Sequence, residues 1–210
     1  MKLSRDRARR ALLVAAALAL ASCSVTRPSP VKQTFLLDPP APAAVAKTQP
    51  TSLRMGTVNV GAPFRGRGFV SREGDLRYET DFYNEFLIPP ATMIGELTGR
   101  ALERAKVFTL VAPANATADT DWILDGFVTS LYVDARQPAK MYADVDVSYY
   151  LFRADGGNGL PAWTQTYRQR APLSGPTAQA YADALNVALG QVFADLSRDL
   201  AAADLSAAKR

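Results

Sequence analysis

The chain has 210 residues, with 24 lysine and arginine side chains against 20 aspartate and glutamate, no histidine and one cysteine. The lack of histidine excludes histidine-based acid–base catalysis and histidine-ligated metals, and a lone cysteine excludes an intrachain disulfide. Residues 1–22 carry five of the basic side chains and one of the acids, so the remainder is balanced at 19 of each. This balance removes the electrostatic case for nucleic-acid binding, which rests on a basic surface.

The N-terminus has the three parts of a secretory signal peptide. Basic residues lie between positions 2 and 10, an uncharged and mostly apolar run covers residues 11–21, and small residues precede Cys23. That run is shorter than the roughly 20 residues of a membrane-spanning helix, which disfavours a transmembrane anchor. Leu20-Ala21-Ser22-Cys23 resembles the lipobox of bacterial lipoproteins, in which the cysteine thiol is acylated and cleavage leaves it first. We therefore expect residues 1–22 to be removed and Cys23 to carry lipid; ordinary secretion with an unrelated cysteine is the alternative.

Residues 23–51 are expected to form the lipidated N-terminus and a tether. Six prolines fall between positions 28 and 50, among alanine and threonine, and such a stretch extends by about 3 Å per residue where it adopts polyproline II. Residues 34–38, Thr-Phe-Leu-Leu-Asp, have strand composition instead. They are interpreted either as an edge strand that docks on the domain or as an apolar patch within the tether, with docking favoured.

Residues 52–210 are expected to form a single domain. Residues 53–60 have strand composition, and residues 69–72 and 76–80 flank a short loop with a central glycine, which is typical of a hairpin. After Pro89-Pro90, apolar residues at helical spacing predict a helix over 91–106. A strand at 108–111 follows it.

The second half of the domain gives the clearest strand signal. Residues 122–134 and 141–152 are long and rich in β-branched and aromatic side chains, and the second run alternates apolar with polar residues. A strand over 162–168 and a long amphipathic helix, which begins after residues 174–177, complete the chain. The pattern predicts an α+β fold: a two-layer sandwich of a mostly antiparallel sheet covered by two helices.

Two sets of residues could suggest a chemical site. Asp144 and Asp146 share one face of a strand, where they could hold a divalent cation or act on a glycosidic bond. A solvated strand face is favoured, because no third ligand accompanies them. Arg65-Gly66-Arg67-Gly68 lacks the helix start and the Lys-Ser/Thr of a phosphate-binding loop. The sequence therefore predicts no catalytic residue, no cofactor site and no metal site.

Aromatic side chains are concentrated between residues 64 and 86, where they are interleaved with arginine and glutamate. Aromatic residues and arginine are enriched at interface hot spots, although a hairpin that fills the core beneath the helices explains the same pattern. The core is favoured for Phe69 and Tyr78. The predicted partner-binding residues are Phe64, Phe82, Tyr83 and Phe86.

Taken in order, several short motifs make the chain resemble the ABC-type transport auxiliary lipoproteins, which accompany MCE-type (mammalian cell entry) lipid transport systems in Gram-negative bacteria. The resemblance covers most of the chain after the signal peptide. It is carried by the lipobox, residues 34–39, residues 60–64 with Gly66, Tyr78, Asp81, Tyr83-Asn84, Phe86, Pro89-Pro90, residues 124–128 followed by Asp134, and the long helix from Pro176.

The resemblance implies a non-catalytic accessory protein, held by acyl chains such as palmitate on Cys23 at the periplasmic face of the outer membrane. Ser24, rather than the aspartate that favours inner-membrane retention, agrees with that location. The implied partners are a periplasmic MCE-domain protein and an inner-membrane permease–ATPase, and a ring-like homo-oligomer is also implied. A lipoprotein scaffold or assembly factor of another cell-envelope machine is the alternative function, and a tethered enzyme is disfavoured by the missing histidine.

Overall fold

The structure is a computed structural model that describes residues 31–205. The predicted signal peptide over residues 1–22 and the predicted lipidation site Cys23 lie outside the described residues. The packed unit begins at Lys32. It therefore includes residues 32–51, which composition alone assigns to the tether.

Within residues 31–205 the chain forms eight strands and two α-helices, with a 3-10 turn at Ala62–Phe64. The strands are β1 (Gln33–Phe35), β2 (Gln49–Val60), β3 (Gly68–Arg72), β4 (Tyr78–Phe86), β5 (Phe108–Ala112), β6 (Trp122–Asp134), β7 (Tyr142–Arg153) and β8 (Trp163–Pro172). The helices are α1 (Pro90–Arg104) and α2 (Ala178–Ala202). The predicted α+β fold class is confirmed.

β6 organises the sheet. Along one side it pairs antiparallel with β7, which in turn pairs antiparallel with β8. Along the other side, β2 pairs parallel with its first half and β3 pairs parallel with its end. β5 extends the sheet from β2, while β4 and then β1 extend it from β3. The sheet is therefore mixed and branches at β6: β5 and β1 end two branches on the same side of β6, and β8 forms the edge on the other side.

One face of the sheet is apolar and carries both helices. On β7 the predicted alternation is confirmed, because Ala143, Val145 and every second residue to Leu151 are buried. α1 packs on β2 and β5, and α2 packs on β7 and β8. Neither α1 nor α2 has the length and apolar character that would let it cross a bilayer.

Small residues let α1 lie close to β2. A Cβ atom on Gly95 would lie 3.4 Å from a methyl group of Val58. A Cβ atom on Gly99 would lie 3.1 Å from the Met55 side chain. Nearby, the Thr98 hydroxyl donates to the Ile94 carbonyl at 2.8 Å and lies 2.9 Å from the Tyr149 hydroxyl. Since the one hydroxyl proton of Thr98 is used on the helix, Tyr149 must be the donor of the second bond. Both hydroxyls are thus satisfied inside the core.

The segment before β2 is packed along the domain rather than free of it. β1 pairs with β4, so the predicted docking of this segment as an edge strand is confirmed, with the strand itself over Gln33–Phe35. Leu37 is only 1% exposed, and Pro40 lies so close to Gly190 of α2 that a Cβ there would be 3.0 Å from the proline ring. The Gln49 side chain donates to carbonyl groups at the C-terminal end of α2. Buried apolar contacts and a helix cap therefore hold this proline-rich segment in place.

Candidate docking surface

β4 does not run as a regular strand. Gly68 and Val70 of β3 pair with Glu85 and Thr80 of β4, so two steps along β3 correspond to five along β4. Residues 81–84, which lie opposite Phe69 alone, bulge out of the hairpin. Residues 81–84 are named the β4 bulge below.

Asp81 holds the β4 bulge in shape. Its Oδ1 atom accepts the backbone N–H groups of Tyr83 at 2.7 Å and Asn84 at 3.0 Å, and its Oδ2 atom accepts the Asn84 side-chain amide at 2.7 Å. Aspartate favours such turns because its short carboxylate reaches N–H groups two and three residues further on. The carboxylate accepts N–H groups that have no partner on β3 because of the bulge. The side chain of Asp81 therefore stabilises this turn of the strand.

Gly68 makes room for the β4 bulge. A Cβ atom at this position would lie 2.6 Å from a methyl group of Thr80 and 2.8 Å from the backbone carbonyl oxygen of Asp81. Because the second neighbour is backbone, a larger residue would displace the strand itself. Glycine at position 68 and aspartate at position 81 therefore cooperate in one local geometry.

The β4 bulge presents two aromatic side chains to solvent. Phe82 is 73% exposed and Tyr83 is 42% exposed, and their rings lie edge to face with centroids 5.2 Å apart. The Lys32 ammonium group lies 5.3 Å from the Phe82 ring centroid, within the range of a cation–π contact. Exposed aromatic rings of this size are candidates for an interface.

Phe64 and Phe86, the other members of the predicted partner-binding set, are buried. Phe86 lies 4.7 Å from Phe69 between ring centroids, and Phe64 stacks on Tyr132 at 5.6 Å. These two rings fill the core and are not available at the surface, so the surface part of the predicted set is Phe82 and Tyr83. The core position expected for Phe69 is confirmed, whereas Tyr78 is 42% exposed.

A small ionic cluster ties the β4 bulge to β1. The buried carboxylate of Glu85 receives Lys32 Nζ at 3.0 Å and also receives Arg67. Arg67 donates in addition to the Leu87 carbonyl at 3.0 Å. The Arg-Gly-Arg-Gly segment thus braces the strand ends. Sequence reasoning missed Lys32 and Glu85, because they are 53 residues apart and neither belongs to a recognisable motif.

Asp144 and Asp146 lie on the sheet face opposite the helices, and each is paired with an arginine of β8. Arg170 Nε lies 3.1 Å from Asp144 Oδ1, and Arg168 Nε lies 2.9 Å from Asp146 Oδ2. Within residues 31–205 there is no group of three or more cysteine, histidine, aspartate or glutamate side chains that could hold a metal. The predicted solvated face is therefore a ladder of cross-strand ion pairs.

The same face contains carboxylates in different environments. A hydrogen bond from Arg136 holds the pKa of Asp134 well below its usual value. Desolvation by burial, in contrast, raises the pKa of Asp144, and the hydrogen bond from Arg170 opposes this effect. Both carboxylates lie within reach of Arg170, which favours the ionised form of each.

A family model for the ABC-type transport auxiliary lipoprotein component matches residues 35–197. The chain belongs to this family. The matched residues include β2 to β8, the β4 bulge, α1 and most of α2, so the β4 bulge lies within the matched domain. No curated protein sequence matches the chain.

Solved structures show the same architecture. Protein XCC0632 from Xanthomonas campestris is 17% identical, with a TM-score of 0.70 over 79% of this chain and 92% of that one. An uncharacterized protein is 14% identical, with a TM-score of 0.55 over 82% and 97%. A PelC dodecamer from Paraburkholderia phytofirmans is more distant, at 12% identity and a TM-score of 0.41 over 76% and 94%. At such identities the first two structures support the fold of the chain and nothing further.

Two residues that carry the resemblance to the auxiliary lipoproteins have architectural roles. Asp125 Oδ1 accepts the backbone N–H of Thr57 at 2.8 Å, where the pairing of β2 with β6 is irregular. A Cβ atom on Gly56 would lie 1.9 Å from that carboxylate oxygen. Gly126 leaves room for the Tyr149 ring, because a Cβ atom on Gly126 would lie 3.3 Å from that ring. This Asp-Gly pair therefore fixes the central strands of the sheet.

Proposed function

We propose that the chain is a non-catalytic auxiliary component of an ABC/MCE-type system that moves lipid between the inner and outer membranes. The observation that carries the proposal is the family match over residues 35–197. The order of short motifs, from the lipobox at Cys23 to the closing helix, is similar to that of lipoproteins that accompany MCE systems. This similarity supports lipid as the cargo.

We further propose that Cys23 carries the membrane anchor at the periplasmic face of the outer membrane. The lipobox Leu20-Ala21-Ser22-Cys23 supports the acylation, and Ser24 supports the outer membrane. One acyl chain gives only marginal and reversible binding, while several chains on one residue give stable attachment. A chain held in this way stays on its membrane while its partners act between the two membranes.

The proposed mode of action is contact without chemistry. The sequence has no histidine, its only cysteine is assigned to the lipid, and Asp144 and Asp146 are paired with arginines. Phe82 and Tyr83 are the proposed docking point of the domain, because they are exposed on a bulge that specific hydrogen bonds hold in place. A preorganised turn loses less conformational entropy on docking than a flexible loop.

The test is affinity purification of the tagged full-length chain from mildly crosslinked membranes of its own bacterium, with Cys23→Ser as the matched control. We expect an MCE-domain protein, a permease and an ATPase to be enriched together with phospholipid, and to be lost with the control. Crosslinked copies of the chain itself would report the proposed homo-oligomer. Enrichment of a different envelope machine, with no MCE-domain protein, would contradict the transport role and favour the scaffold alternative.

A further inference from the structure

Exposed apolar side chains gather on one face of the sheet where β1 and β4 pair. In parallel strands, residues that are opposite in register share a face. Phe35 and Phe86 are opposite each other and turn towards the core, so the next pair, Leu36 and Leu87, faces the other way. Leu36 is 58% exposed and Leu87 is 47% exposed. The Leu87 N–H donates to the Phe35 carbonyl at 2.8 Å, which keeps the ends of the two strands together.

Lys32 joins this face to the β4 bulge. Its ammonium group reaches both Glu85, on the same face as Leu87, and the ring of Phe82. Lys32 and Leu36 are four residues apart in an extended segment, which separates their backbone positions by roughly 13 Å. This surface is named the aromatic patch, and it consists of Lys32, Leu36, Phe82, Tyr83 and Leu87.

Charges of both signs surround the aromatic patch. Lys32 and Arg67 share the single carboxylate of Glu85, and Arg65, two residues before Arg67, is exposed. The other carboxylates are those of Asp81, which accepts N–H groups of the β4 bulge, and of Asp38, which is exposed two residues after Leu36. Exposed aromatic and aliphatic side chains with adjacent lysine and arginine are typical of residues at the boundary between lipid headgroups and acyl chains.

The proposed lipid anchor is close to this surface along the chain. Cys23 precedes Lys32 by nine residues, and nine residues at full extension span at most about 30 Å. An anchored chain therefore cannot carry the aromatic patch further than that from the bilayer. β1 is the first strand after the anchor along the chain, whereas β5 ends the other branch of the sheet.

We propose that the aromatic patch is a second membrane contact, which rests on the phospholipid headgroups of the leaflet that holds the Cys23 lipid. The inference rests on the lipidation in the proposed function, and it identifies the bilayer as the partner of Phe82 and Tyr83. The lipid tether and the aromatic patch together would fix the orientation of the domain on its membrane. The Lys32 ammonium group pairs with headgroup phosphates, and the rings enter the boundary beneath the headgroups.

The test uses the lipidated chain in vesicles of phosphatidylethanolamine and phosphatidylglycerol with brominated acyl chains, which quench tryptophan fluorescence. One variant is F82W. The matched control is L110W, because Leu110 is 48% exposed on β5, which ends the branch of the sheet that does not contain β1 and β4. The parent signal, from Trp122 and Trp163, is subtracted from both. Because interfacial side chains lie roughly 5–10 Å below the headgroups, bromine should lower the F82W signal about twofold and leave L110W unchanged.

Each outcome has a distinct meaning. Quenching of F82W alone supports the membrane contact. If the chains float with the vesicles but F82W is not quenched, the membrane contact is overturned and the lipid anchor stands. If the fluorescence of F82W changes only after an MCE-domain protein is added, the patch binds that protein instead. A chain that does not float carries no working anchor, which overturns the anchor in the proposed function and the membrane contact with it.

Discussion

Replacing Asp81 with alanine is the sharpest test of how the domain presents its exposed rings. The Asp81 carboxylate accepts the backbone N–H groups of Tyr83 and Asn84 and the Asn84 amide, at 2.7–3.0 Å. In Asp81→Ala these donors lose their acceptor at a place where β4 has left its ladder with β3. Water can replace part of what is lost, because the bulge lies at the surface.

The expected loss follows from comparable sites. An aspartate that satisfies free N–H groups at the start of a helix stabilises a protein by about 0.5–2 kcal/mol relative to alanine, and bonds to a charged acceptor lie at the strong end of the range. We therefore expect Asp81→Ala to lower the free energy of unfolding by about 1–2 kcal/mol. Asp81→Asn keeps an oxygen acceptor but loses the charge, so about half of that loss is expected.

The assay is urea unfolding followed by circular dichroism, on the parent, Asp81→Ala and Asp81→Asn. In the vesicle assay, Asp81→Ala should also reduce the quenching of F82W, because the ring is no longer held outward. Equal unfolding midpoints for the parent and Asp81→Ala would refute the structural role of the carboxylate. A loss with Asp81→Asn as large as with alanine would show that a single neutral oxygen acceptor does not hold the bulge.

Three further changes test the core and the open face of the sheet. Leu37→Ala should cost about 2–5 kcal/mol in urea unfolding, since the side chain is 1% exposed; a cost near zero would show that the segment before β2 is not part of the domain. Thr98→Val should cost about 1–3 kcal/mol, and more than Tyr149→Phe, because only the former leaves a buried hydroxyl donor without an acceptor. Asp134→Asn should lower the urea midpoint at pH 7. Because the folded pKa of Asp134 lies below its ordinary value of 3.8, its stabilisation is complete above about pH 4 and is lost as the pH falls further. The difference between Asp134→Asn and the parent should therefore shrink below pH 4, and a constant difference would contradict the ion pairing.

The main elements of the fold could be predicted because their signals are local. The alternation along β7 and the helical spacing in α2 identify both layers, and Thr177 caps α2 through the N–H of Ala180 at 3.1 Å. Composition favours the docking of residues 34–38, but it does not predict the packing of the rest of the segment before β2. This packing depends on the space that Gly190 leaves for Pro40 and on the hydrogen bonds from Gln49 to the end of α2. In each case the two partners are about 150 residues apart along the chain.

The docking surface, too, could be predicted from the sequence only in part. Composition identifies the aromatic run between residues 64 and 86, but it does not separate the buried Phe86 from the exposed Phe82. That separation depends on the β4 bulge, which needs the side-chain bonds of Asp81 and the open space at Gly68. Aspartate two residues before an aromatic side chain is a weak signal by itself. Asp81 can be recognised as the residue that holds the bulge only when the hairpin is known to place Gly68 beside it.

Attachment to lipid through one cysteine is the claim on which both the proposed location and the membrane contact depend. Intact-mass spectrometry of the chain recovered from membranes tests it directly. We expect a mature chain whose first residue is Cys23, with a mass increased by several acyl chains. A mature chain that begins at another residue, or a Cys23 thiol without acyl groups, would contradict the account.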